Sequence, residues 1–169
     1  MKKIISTLAV ISILGLVPNG SAMNLDQEQL TVSKVYKPTK SAVKKTMTKM
    51  GYEYIVDKDG DLLFKLGKGK WKAYVIFNTL SDGRVWNLQL FVQFSTKENR
   101  YDELIEYANK WNATKKYPKV SLRNKDTLKI TYNYPIQYGF NPDEFEENVL
   151  GIFETAINII AEETYAMRR

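Results

Sequence analysis

Asp57, Asp59 and Asp61 stand at alternate positions around Gly60, a spacing that could gather oxygen ligands around a calcium ion. The glycine falls too early for a calcium-binding loop, and Lys68 occupies the place where such a loop needs a bidentate glutamate. The three aspartates therefore read as turn residues, and no metal is expected. Gly67-Lys68-Gly69-Lys70 combines glycine and lysine as a phosphate cradle does, but it lacks the P-loop spacing and joins strand to strand instead of opening a helix. The chain has no histidine and no cysteine, which removes Ser-His-Asp and Cys-His nucleophiles, thiolate chemistry and the usual zinc ligand sets. Carboxylate chemistry remains, but it requires two acids held across a cleft. The acids here cluster as helix surfaces and helix starts: Asp102, Glu103 and Glu106, then Asp143, Glu144, Glu146 and Glu147. The expectation is no catalytic residue, no cofactor and no enzyme.

Recognition is the other chemistry a chain can carry, and here it rests on two predicted strands. In Val85 to Ser95, Trp86, Leu88, Leu90, Val92 and Phe94 alternate with Asn87, Gln89, Phe91 and Gln93, so one face is dry and the other mostly wet. In the preceding strand, Trp71 to Leu80, Tyr74 and Ile76 fall opposite Trp71, Ala73, Val75 and Phe77. Ser81-Asp82-Gly83 joins the two strands as a turn. Pairing as a hairpin would gather Tyr74, Ile76 and Phe91 on the wet face. They then form an exposed protein-binding patch, or the N-terminal arm or a later hairpin covers them.

The remaining elements position this sheet. From Thr39, the spacing of Val43, Met47 and Met50 predicts a first helix capped by Gly51. Tyr52, Tyr54 and Val56, an Asp59-Gly60 turn, and Leu62, Phe64 and Leu66 predict a hairpin. A second helix runs from about Tyr101 to Asn112, with Leu104, Ile105, Ala108 and Trp111 on one face. The Trp111 indole should be buried, and Asn109 and Asn112 beside it carry short amides that can bond backbone groups where the helix frays; Asn112 also tolerates a left-handed conformation. Val120 and Leu122 mark a fifth strand, and Leu128, Ile130, Tyr132 and Tyr134 a sixth. Asn141-Pro142-Asp143-Glu144 is a helix start, and Phe145, Val149, Ile152, Phe153, Ala156, Ile159 and Ile160 form the apolar stripe of a long last helix. The fold class expected is α+β: an antiparallel sheet with helices mainly on one face, in the order α-β-β-β-β-α-β-β-α.

Met1-Lys2-Lys3, an apolar run from Ile4 to Val17 and the small residues Gly20, Ser21 and Ala22 make residues 1–22 a signal peptide, with no stable membrane anchor after cleavage. Residues 23–38 read as an arm or linker and 39–169 as one domain. Removing the first 22 of 169 residues leaves 147, enough for one core without cross-links. The net charge of +6 falls to +4 when Lys2 and Lys3 are lost. Outside the cytoplasm that charge meets no nucleic acid, so the lysines are solvated surface or face an anionic envelope partner. The protein is expected in the periplasm or secreted. Its partner is another protein of unknown identity, or a second copy in a homodimer. An envelope small-ligand binder or a carboxylate-based hydrolase is the alternative.

The order of elements, the segment Asn109-Lys110-Trp111-Asn112, the inward pair Val120 and Leu122, and the capped last helix resemble the YbjN domain family over about Thr39 to Ala161. That resemblance implies a fold similar to type III secretion chaperones, whose sheet surfaces hold extended segments of a partner and which often dimerise. It also implies a family labelled a sensory transduction regulator. The family supplies no catalytic residues, and Asn109, Trp111 and Asn112 match it as a fold signature. The signal peptide departs from the usual member, so a cytoplasmic regulatory role is not carried over.

Overall fold

The computed structural model describes residues 34–168. The expected signal peptide and residues 23–33 of the expected arm lie outside the described residues. Helix α1 (Lys40–Lys49) begins where the extended Thr39 accepts a hydrogen bond from the Ala42 amide at 3.1 Å, and it buries Val43 and Met47 completely. It stops at Gly51, whose φ of 79° a residue with a Cβ adopts only under strain.

Strands β1 (Tyr54–Val56), β2 (Leu62–Leu66), β3 (Trp71–Thr79) and β4 (Val85–Ser95) follow, then helix α2 (Tyr101–Thr114), β5 (Lys119–Asn124) and β6 (Thr127–Pro135). The last helical run joins α3 (Pro142–Glu144), a π-helical stretch Phe145–Leu150 and α4 (Gly151–Glu163). The six strands form one sheet in the order β1-β2-β3-β4-β6-β5, every neighbouring pair antiparallel. The inward residues of the strands and the buried faces of the helices make one apolar cluster, so the helices cover one side of the sheet. This is the expected α+β class and element order.

Residues 34–38 are tied to the rest. Tyr36 bridges Phe140 through backbone bonds in both directions, and the Val85 amide donates to the Pro38 carbonyl at 3.0 Å.

Three local features depart from the expectation. First, the β3–β4 register shifts next to the turn that joins the two strands: Asn78 faces Asn87 while Thr79 faces Val85, so Trp86 is the unpaired extra residue. The bulge reverses the alternation there. Val85 is fully buried and Trp86 is 41% exposed, so Trp86 does not join Leu88, Leu90, Val92 and Phe94 in the core. Second, β1 keeps only three residues, and Val56 is exposed. Third, the backbone of the last helix passes through a π turn, in which the Gly151 amide reaches the Glu146 carbonyl five residues back. The inserted residue rotates everything after it. Phe153, Ala156, Ile157, Ile160 and Ala161 are buried, while Ile152 and Ile159, expected in the stripe, face outward.

The bulge makes a direct prediction. Val85→Ala should cost about 2 kcal/mol in urea unfolding, from the lost burial of two methyl groups. Trp86→Ser should stay within about 0.5 kcal/mol of the parent. Equal costs would put both side chains in the core.

Candidate binding surface

The side of the sheet away from the helices is organised by register. Ile55 on β1 opposes Leu63 on β2, Leu63 opposes Tyr74 on β3, Tyr74 opposes Phe91 on β4, Phe91 opposes Thr131 on β6 and Thr131 opposes Lys119 on β5. Directly opposed residues share a face, so these six side chains form one row across the whole sheet. Its centre is ordered by aromatic contact: the Tyr74 and Phe91 rings stack with centroids 4.5 Å apart and planes 4° from parallel. The Lys129 ammonium sits 4.5 Å from the Phe91 ring centre. Ile76, two residues after Tyr74, opposes Gln89, whose amide donates to Asn133 Oδ1 at 3.1 Å.

Tyr74, Ile76 and Phe91 are thus brought together, each half-buried by its neighbours, and Ile55 at the row's end is 68% exposed. The later hairpin does not fold over them, because β6 pairs alongside β4 and extends the sheet. Leu63 and Ile55 belong to the same patch. Sequence reading passed them over because β2 and β1 alternate correctly whichever neighbour they take, and only the register joins them to Tyr74.

The Trp111 corner does something different. Trp111 is 5% exposed, and its indole N–H donates to the Pro118 carbonyl at 2.8 Å. The Asn112 side chain makes a two-point clamp on β5, donating through Nδ2 to the Val120 carbonyl at 2.7 Å and accepting from the Val120 amide at 3.0 Å. An amide side chain thereby takes the place of a neighbouring strand. Asn112 lies inside α2, which continues to Thr114, and uses no left-handed conformation. Asn109 is exposed and takes no part in the clamp.

Asp57 and Asp61, noted in the sequence, serve local structure. Asp57 Oδ1 accepts from the Asp59 and Asp61 amides, both at 2.9 Å, and Asp61 Oδ1 accepts from the Phe77 amide at 2.9 Å. Among the described residues, no group of three or more acids is placed to hold a metal ion.

On the helical side, an open groove of about 530 Å³ runs between the end of α2 and α4, lined by Trp111, Lys115, Tyr117, Glu147, Ile152 and Ile159. It exists because the π turn swings Ile152 and Ile159 outward, a rotation that regular helical spacing does not show. Next to it, Tyr107 donates to Glu163 Oε2 at 2.6 Å. Burial, and then the Glu163 carboxylate, hold the Tyr107 phenol well above the ordinary tyrosine range.

An antiparallel sheet with helices on one side and an ordered aromatic row on the other defines, among the described residues, a two-layer α+β scaffold whose second sheet face carries no helix. Residues 39–162 match the family model described as "Putative bacterial sensory transduction regulator", YbjN, and the chain belongs to the YbjN family. Its fold is similar to the crystal structure of YbjN from E. coli, with a TM-score of 0.63 and 14% identity, covering 79% of this chain and 96% of that one. The type III secretion chaperone SycH of Yersinia pestis, solved in complex with a stable fragment of YscM2, aligns with a TM-score of 0.48 and 12% identity, covering 73% of this chain and 97% of that one. No curated protein matches the chain in sequence. Among the described residues, no helix is long and apolar enough to cross a membrane.

Two outcomes test this geometry. Asn112→Ala should cost about 2 kcal/mol in chemical unfolding, because Val120 loses two hydrogen bonds at once, whereas Asn109→Ala should be nearly neutral. The Tyr107 shift predicts an alkaline slope. Above about pH 10 the unfolded chain releases this proton while the folded chain keeps it, so stability falls as pH rises further. Tyr107→Phe should flatten that fall when urea midpoints are compared between about pH 8 and about pH 11.

Proposed function

We propose that this chain is an exported, non-enzymatic protein-binding module of the bacterial envelope, which holds a segment of a partner on the helix-free face of its sheet. The observation that carries the reading is the row Ile55, Leu63, Tyr74 and Phe91, with Ile76 beside it: adjoining apolar side chains on the one sheet face that the protein's own helices leave uncovered. Stacked rings offer a preformed surface that loses little side-chain freedom on contact. Export is supported by the charged start, short apolar run and small residues of 1–22. A non-enzymatic role is supported by the lack of histidine and cysteine and by the local duties of Asp57 and Asp61.

The test is crosslinking capture from an envelope extract with the chain from Met23 onward. Phe91→Asp should abolish capture while lowering stability by only about 1 kcal/mol, the worth of the lost stacking. Ile55→Asp, at an exposed end of the row, should weaken capture with no measurable change in melting temperature. A Phe91→Asp protein that fails to fold, together with an Ile55→Asp protein that captures normally, would assign the row to the core.

A further inference from the structure

From β3 to β6 the helix-free face carries charge of one sign, and Lys65 of β2 adds to it. Two residues along from the apolar row, Lys65 opposes Lys72, while Gln93 opposes Lys129 and Lys129 opposes Ser121. Lys119 ends the apolar row, and Arg123 stands exposed at the register shift near the end of β5. No carboxylate stands among the positions that share this side of β3, β4, β5 and β6. Acids lie on the helices, in Asp102, Glu103 and Glu106 of α2 and in Glu146, Glu147 and Glu154 of the last helical run, and at the strand ends and turns, in Glu53, Asp57, Asp59, Asp61, Asp82 and Asp126. The ion pairs among the described residues, Arg84 with Asp82 and Arg100 with Glu103, use none of the face's cations. Like charges directly opposed on a sheet are destabilising, so Lys65 facing Lys72 is a cost that the fold does not balance internally.

We infer that the segment bound by this face is an acidic one, with apolar side chains on the Ile55-Leu63-Tyr74-Phe91 row and carboxylates on Lys65, Lys72 and Lys129. The inference rests on the reading of this face as a protein-binding surface and names the chemistry of the partner. The two rows are two residues apart along the strands, about 7 Å, which places a carboxylate beside an apolar group on one segment. The aromatic geometry disfavours the other polyanions. Phe91 has Tyr74 stacked against it from β3 and Lys129 over its ring from β6, which leaves no free face on which a nucleic-acid base could stack. The rings are half-buried and do not project as tips that would enter a bilayer.

Fluorescence anisotropy with labelled peptides tests this. The probe is a peptide of about eight alternating glutamate and leucine residues, long enough to cross the strands, with matched glutamine–leucine and lysine–leucine versions. The acidic peptide should bind at least about tenfold more tightly than the glutamine version, its affinity should fall as salt rises from about 50 to 500 mM, and the lysine version should not bind. Lys65→Glu/Lys72→Glu/Lys129→Glu should remove the preference for glutamate, and Phe91→Asp should remove binding of both. Equal binding of the acidic and glutamine peptides would overturn the charge inference while leaving the protein-binding reading in place. Failure of all three peptides, with phosphatidylglycerol vesicles bound instead, would overturn both in favour of a lipid surface; failure of peptides and vesicles alike would overturn both outright.

Discussion

Strand β4 is the constraint on which the rest of the structure depends. It is paired on both sides, with β3 along one edge and β6 along the other, so its backbone has little freedom to shift. With the period of a strand fixed at two, this pairing commits each residue to one side of the sheet. Leu88, Leu90, Val92 and Phe94 anchor the helices. Gln89, Phe91 and Gln93 are thereby committed to the other side, where Phe91 stacks on Tyr74 and carries the aromatic row.

That arrangement separates two tasks that small domains often combine. The dry side settles stability: Leu62, Leu66, Leu88, Leu90, Leu128 and Ile130 are fully buried beneath Met47, Leu104, Phe145 and Phe153. The other side is free to vary in chemistry, since few of its contacts reach the core. Charge partly follows the same division, with Lys65, Lys72 and Lys129 on the sheet face and acids concentrated along α2 and the last helical run, while α1 is itself rich in lysine.

Much of this was legible in the residues. The alternation of β4, the Asn141 cap, whose Oδ1 accepts from the Asp143 and Glu144 amides, and the gathering of Tyr74, Ile76 and Phe91 on one side all follow from local pattern. What was not legible has a physical cause in each case. The bulge at Trp86 costs one residue of register and depends on the Pro38 carbonyl taking the Val85 amide, a contact between distant segments. The π turn at Phe145–Leu150 leaves an ordinary helical sequence in place and changes only its phase, which exposes Ile152 and Ile159. Asn109 and Asn112 looked equivalent beside Trp111; the difference between an exposed amide and a strand clamp depends on which face of α2 meets β5.

The Asn112 clamp has a consequence for how these molecules behave at high concentration. A sheet propagates from molecule to molecule only if each copy has two edges to give, one that receives a strand and one that offers the next. Here β5, at one end of the sheet, has the Val120 N–H and C=O already taken by a side chain of its own protein, and β1 at the other end is three residues long. Such a molecule can terminate a stack of strands but has little means of extending one. A single asparagine thus closes the middle of one sheet edge with the protein's own side chain, a local obstacle to strand addition there.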